Sequence, residues 1–274
     1  MKRKQFGSWL KLPGKSKHGN AALHAMRRFG VWIKLSGKSK TATKMFRFFK
    51  QPGYMGWFGK LPSVGDFAGK GIPYSLRETI HGWMSSGMAA LAYSRPDDWQ
   101  AAYLVSPVWH FIIGPGLWDK PALIGCFAPS VDKVGRYSPL IALRSFDKND
   151  ISDVLPPKSR WLYRVDAALR RVIAEGITVD GLHEILLQLA ESENNGSTAN
   201  ILNDLGIGNT KVDAGAQKDW FAWAELPELF EENRDHSFWW SEPSSQLPLR
   251  QIVHCGAPDD NLFYLLMDDG VLDE

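Results

Sequence analysis

Side chains able to act on a substrate are spread through this 274-residue chain, and their spacing decides which chemistries are open. Two serines stand in loop-forming contexts: Ser63 in Pro62-Ser63-Val64-Gly65, and Ser130 in Pro129-Ser130-Val131-Asp132. A nucleophile elbow needs Gly-x-Ser-x-Gly on a sharp strand-to-helix turn, and neither context supplies it. The stretch Gly65–Gly71 is glycine-rich and carries a lysine. A phosphate-cradling P-loop needs Gly-x-x-x-x-Gly-Lys followed by Ser or Thr, whose hydroxyl holds magnesium. Gly69 and Lys70 keep their places, but Val64 stands where the first glycine belongs and Gly71 replaces the hydroxyl residue. His81, His110, His183, His236 and His254 are scattered, and no pair has metal-ligand spacing. Cys126 and Cys255 form no C-x-x-C pair; each lies in or beside an apolar run and reads as a buried thiol. No catalytic residue, metal or cofactor is therefore expected, and the chain reads as something other than an enzyme.

The remaining polar residues are binding groups. Asp132 and Arg136 stand four apart across Asp-Lys-Val-Gly-Arg, where they can pair and fix a turn. Gly135 supplies a backbone conformation its neighbours adopt poorly, and Pro129 and Pro139 stiffen the bracket. In a second reading Arg136 offers its forked donor to a partner or a phosphate. The same two readings cover Lys60 and Asp66. With Asp132 and Arg136 they make up the alternative function, a phosphate- or nucleotide-binding domain with enzymatic activity. Trp239 and Trp240 are adjacent, so in a strand they point to opposite faces. One is expected to be buried and the other exposed as a binding anchor.

The elements that must position these groups are legible from periodicity. A strand from Gly56 runs into a Gly/Pro loop that continues through Gly69–Pro73. Ser75 and Glu78 form a capping-box pattern, and a helix with Leu76, Ile80, Trp83 and Leu91 on one side extends to Tyr93. Strand-like runs follow at Ala101–Ser106, Val108–Gly114, Leu123–Ala128 and Leu140–Phe146. Two helical patterns come next, around Trp161–Ile173 and Leu182–Leu189. Residues 192–217 read as a long loop, and Trp220–Phe230 as short helical pieces. Phe238–Trp240, Leu249–Cys255 and Phe263–Met267 read as returning strands. The order predicts an α+β fold, a mixed or mainly antiparallel sheet with helices packed on it, as one large domain or two closely packed subdomains.

Charge divides the chain. Residues 1–50 hold 14 Lys/Arg and no Asp or Glu, which leaves 18 basic against 30 acidic residues in the remainder, a net of −12. An acidic body argues against nucleic-acid binding by the folded part. The basic segment contains a repeat: Phe6–Lys17 recurs as Phe29–Lys40, identical at nine of twelve positions. Residues 1–53 read as a basic, disordered tail, and residues 54–274 as a domain with a strand-rich half (54–150) and a helical half with returning strands (151–274). Three readings of the tail stay open: weak contact with anionic membrane or nucleic acid, a solvated tail without a fixed role, or translated upstream sequence with the start at Met45 or Met55. No signal-peptide pattern opens the chain, and no apolar run is long enough for a membrane helix, so a cytoplasmic location is expected.

Five segments, in order, resemble the TagF family. Gly59–Phe67 is similar to its opening motif, and Ser106-Pro-Val-Trp-His-Phe111 to its strand motif. Gly125–Leu140 resembles its longest signature, Pro-Ser-x-Asp-x-x-Gly-Arg-x-x-Pro-Leu. Ser237–Trp240 and Cys255–Pro258 resemble its C-terminal pattern. The resemblance implies a post-translational negative regulator of a bacterial type VI secretion system. It implies action by binding a forkhead-associated scaffold component in the threonine-phosphorylation pathway. The partner-binding candidates are then Lys60, Asp66, Phe67, Asp132, Arg136, Trp239 and Trp240.

Overall fold

Among the described residues, seven strands form one antiparallel sheet in the order β2-β1-β5-β4-β3-β6-β7. The computed structural model describes residues 53–156, 158–195, 223–243 and 248–267. The strands are β1 (Met55–Lys60), β2 (Phe67–Lys70), β3 (Trp109–Ile113), β4 (Ala122–Ala128), β5 (Leu140–Phe146), β6 (His236–Ser241) and β7 (Arg250–Cys255). The helices are α1 (Tyr74–Ser94), α2 (Trp99–Val105), α3 (Ile151–Val154), α4 (Trp161–Glu175), α5 (Val179–Asn195), α6 (Leu226–Glu232) and α7 (Asp260–Met267). The α+β expectation holds. Strands from both halves of the body share the one sheet, since β6 pairs with β3. The predicted tail, its repeat and most of the 192–217 loop lie outside the described residues.

Helices cover both faces of the sheet, and the sequence shows why. β3 (WHFII) and β4 (ALIGCFA) are apolar or small at nearly every position and fully buried. A strand alternating polar with apolar would leave one face to water; these leave neither. On one face Ile112, Ile124, Ala142, Phe238 and Trp240 meet α3, α4, α5 and α6. On the other Phe111, Phe127, Ile141 and Trp239 meet α1, α2 and α7. Each large apolar side chain so removed from water contributes about 1.5–3 kcal/mol.

Helix α1 buries Leu76, Ile80, Trp83, Met84, Gly87 and Leu91 at helical spacing. Gly87 is what lets α7 approach: a Cβ there would meet the Phe263 ring at 2.2 Å. The predicted capping box does not form. The helix starts on Pro73, whose fixed φ suits a helix entry, with no side-chain cap. Helix α4 closes on Gly176 at φ 64°, the left-handed residue common at helix C-termini.

Other expectations are corrected. Ala101–Ser106 is helical, as α2. Its buried residues are the neighbours Ala102 and Tyr103, and the bonds Trp99 N–Arg95 O and Ala102 N–Asp98 O run at helical spacing. Phe263–Met267 is also helical, as α7. Leu262, Phe263, Leu266 and Met267 are buried at i, i+1, i+4 and i+5, and Asp259 Oδ1 accepts the Leu262 amide at 2.9 Å. A short apolar run does not by itself separate strand from helix. The stretch expected as loop at Gly69–Pro73 begins inside β2, which pairs with β1 through Trp57↔Lys70 and Phe58↔Gly69. Cys126 is buried as expected, but Cys255 is exposed on the strand β7.

Candidate functional site

Five of the seven binding candidates gather at one end of the sheet. Lys60 is the last residue of β1. The chain then turns, with the Val64 amide donating to Leu61 O at 3.0 Å, and enters β2 at Phe67. Residues 129–139 join β4 to β5 as a hairpin closed by the bridge Val131↔Tyr137. Its tip is a tight turn, Gly135 N to Asp132 O at 2.9 Å, made possible by Gly135 at φ 85°.

Asp132 is the knot. Its Oδ1 accepts the amides of Val134 (3.0 Å) and Arg136 (2.9 Å). Its Oδ2 accepts Arg136 Nε at 2.7 Å and lies 3.1 Å from Lys60 Nζ. Burial pushes the carboxyl's pKa up. The bonds from the Arg136 amide, Lys60, the Arg136 guanidinium and the Val134 amide outweigh it and hold Asp132 well below the usual carboxylate range. Around it, Ser130 Oγ donates to Lys60 O at 2.8 Å, and the Tyr103 hydroxyl donates to Ser130 O at 2.8 Å while accepting the Ser130 amide at 2.7 Å. Two bonds tie the hairpin to the β1–β2 loop: Lys133 N to Val64 O at 2.9 Å, and Arg136 Nη2 to Gly65 O.

The remaining candidates fall into place around this knot. The Phe67 ring stacks on Phe58 at 5.5 Å, meets His81 edge-on at 4.7 Å, and lies 5.3 Å under the Lys60 ammonium. Asp66 is exposed, and its carboxylate accepts the amide of Phe67. Lys60 is only 6% exposed and points into the knot, so the pair-and-fix reading describes it and Asp132. Ser63 Oγ donates to Ile177 O at 2.8 Å, which occupies the hydroxyl in a loop-to-loop tie.

Trp239 and Trp240 are elsewhere. They point to opposite faces as expected, but both are fully buried, which corrects the expectation of one exposed anchor. The reason is the second helical layer. Trp239 packs on Phe111 at 4.9 Å under α1 and α7, and Trp240 packs on His110 at 5.5 Å under α4.

Sequence reasoning passed over Lys133 and Val134. They project at the hairpin tip beside the predicted Arg136, Val134 with 69% of its surface exposed. The signal was present in Asp-x-x-Gly-Arg: a turn anchored at its first and last residues puts the ones between them at the tip.

A second polar group is buried under α4. His110 Nε2 lies 3.0 Å from Asp166 Oδ2, Arg170 pairs with the same carboxylate, and Glu242 Oε1 stands 3.9 Å from His110 Nδ1. Burial raises the Asp166 pKa, but the His110 and Arg170 bonds outweigh it and the net shift is down. Burial raises Glu242. Cys126, paired across the sheet with His110, donates to Leu162 O, and burial pushes its thiol up, so it is a packed core thiol.

No curated protein matches the sequence. The crystal structure of PA0076 from Pseudomonas aeruginosa PAO1 matches with a TM-score of 0.60 and 24% identity, covering 80% of this chain and 97% of that one, a likeness of fold. Residues 56–189, which contain the whole Lys60–Asp132–Arg136 knot, match the TagF N-terminal domain, described as type VI secretion system-associated. Residues 56–189 of the chain are thus a TagF N-terminal domain, type VI secretion system-associated.

Proposed function

We propose that this protein is a post-translational negative regulator of a bacterial type VI secretion system, and that it acts by binding a forkhead-associated scaffold component of the threonine-phosphorylation pathway. The observation that carries the reading is the TagF match over the segment that holds the knot. Support also comes from how the polar groups are used. Lys60 and Asp132 neutralise each other in a buried pair, and Ser63 and Ser130 are spent on backbone carbonyls. Groups committed in this way build a rigid shape. What the shape offers outward is the hairpin tip, with apolar Val134 between cationic Lys133 and Arg136. Holding a partner needs such a surface and no nucleophile. Among the described residues no helix is long and apolar enough to cross a membrane.

The test is affinity purification of the tagged chain from cells that carry the secretion system. Retention of the scaffold, together with increased secretion on deletion of the protein, is the expected result. Loss of both ends the proposal.

A further inference from the structure

The two edges of the sheet end differently. At one edge β2 has four residues, all half-buried, and closes on Lys70, which pairs with Asp180 of α5. A short strand ending in a charge is a blunted edge. At the other edge β7 has six residues, and its side chains alternate. Arg250, Ile252 and His254 turn to the face covered by α7. The Arg250 guanidinium lies 5.0 Å over the Trp109 ring, Ile252 packs on the same apolar cluster, and His254 Nε2 lies 3.2 Å from Asp259 Oδ1. Gln251, Val253 and Cys255 turn to the opposite face and are exposed, Val253 by 49%. Phe238, paired with Val253 in β6, is fully buried. Among the described residues, the helical cover of that face therefore stops one strand short of the edge.

The backbone of the same three residues faces outward. The Gly256 amide donates to Asp235 O at 3.0 Å, which makes these two a hydrogen-bonded pair continuing the β6–β7 register. Such pairs alternate along an antiparallel ladder with pairs that do not bond. His254 and Ile252 therefore bond to β6, and Cys255, Val253 and Gln251 aim their N–H and C=O groups away from it. Among the described residues, no strand lies beyond β7 and no backbone group reaches Val253 or Cys255 from that side.

We propose that this edge docks a second copy of the chain, joined antiparallel through β7 itself so that one sheet runs through both copies. A two-fold axis at Val253 sets Val253 against its own copy and Gln251 against Cys255 of the second copy. Every residue so paired has outward backbone groups, so the register completes the ladder and covers Val253. A two-fold contact brings like against like, and a charged residue in the row would meet its own sign. The row Gln251, Val253, Cys255 holds no acidic or basic residue, so it suits itself and offers nothing to draw a charged partner segment. A further exposed apolar side chain borders the edge on the α7 side. Leu265 is 45% exposed, its carbonyl accepts Arg250 Nη2 at 2.9 Å, and it stands about 200° around α7 from Phe263, which faces α1. The inference is independent of the scaffold reading, which uses the hairpin tip.

Sedimentation velocity of the full chain from low to high micromolar concentration tests it, together with amide hydrogen exchange at both ends of that range. A monomer–dimer equilibrium is expected, with the Val253 and Cys255 amides exchanging fast in the monomer and slowly in the dimer. Val253→Lys, at an exposed position, should weaken the dimer at least ten-fold, whereas Val253→Ile should keep it. The register sets the two Cys255 residues about 14 Å apart along the strands, so a bis-maleimide of that reach should link the copies, and Cys255→Ser should prevent the link. A monomer at every concentration, or a dimer indifferent to Val253→Lys, would overturn the proposal. So would equal protection of the two amides in the dilute monomer, which would make another segment of the same chain the occupant.

Discussion

Lys60 Nζ and Asp132 Oδ2 lie 3.1 Å apart with their side chains 8% and 0% exposed, and the pair joins the end of β1 to the base of the β4–β5 hairpin. Removing one member leaves the other charge buried without its partner, whereas replacing both by apolar groups costs less. Asp132→Asn is therefore expected to lower the melting temperature more than Arg136→Ala, whose side chain is 57% exposed. Lys60→Met combined with Asp132→Asn should recover part of the loss. Thermal unfolding followed by circular dichroism checks the ranking.

The same carboxylate sets an acid limit. Its folded-state pKa lies below the unfolded one, so its stabilisation is complete above the ordinary aspartate range near pH 4 and is lost as pH falls from there. Melting temperature measured from pH 6 down to pH 2 should fall less steeply for Asp132→Asn than for the natural chain.

Glu242 has the opposite sign. Its pKa is raised by burial, with Asp166 adding to the rise and His110 opposing it. Arg170 reaches the same cluster through Asp166. A raised carboxylate stabilises the fold below its unfolded pKa, near pH 4.3, and that contribution is lost as pH climbs through the folded value. Glu242→Gln should match the natural chain near pH 4 and melt higher than it at pH 8. A constant offset across that range would refute the assignment.

Gly87 tests the packing of α1 on α7. On propensity alone, alanine should stabilise a helix interior by about 0.5–1 kcal/mol. Here its Cβ would meet the Phe263 ring at 2.2 Å, so Gly87→Ala should instead destabilise by about 1–3 kcal/mol, as overpacking does. Denaturant unfolding decides the sign.

The hairpin tip separates binding from stability. Val134→Asp and Lys133→Glu change exposed side chains, so stability should stay within about 0.5 kcal/mol. If the tip is the scaffold-binding surface, retention of the scaffold in co-purification should drop at least ten-fold. Undiminished retention would move the interface elsewhere.

Much of this architecture was readable from residue patterns. β5 falls on the predicted Leu140–Phe146, and the Asp132–Arg136 turn pair followed from spacing and Gly135 alone. The two runs misread as strands share one cause. Ala101–Ser106 and Phe263–Met267 are short apolar runs whose period is ambiguous, and the bonds that settle them come from residues outside each run. The exposure expected of Trp239 or Trp240 depended on which faces of the sheet are covered, and that is a property of the helices α1, α4 and α7 elsewhere in the chain. The role of Lys60 was equally hidden, since its partner Asp132 is supplied by a different connection.

The central strands β3 and β4 turn no face to water. Their amide protons should be among the last to exchange with deuterium, and their opening should require unfolding of the whole body. A protein arranged this way has little room to signal by rearranging its interior. If it regulates a partner, as proposed, it does so as a fixed template, by what docks onto its edges and connections and how long that partner stays.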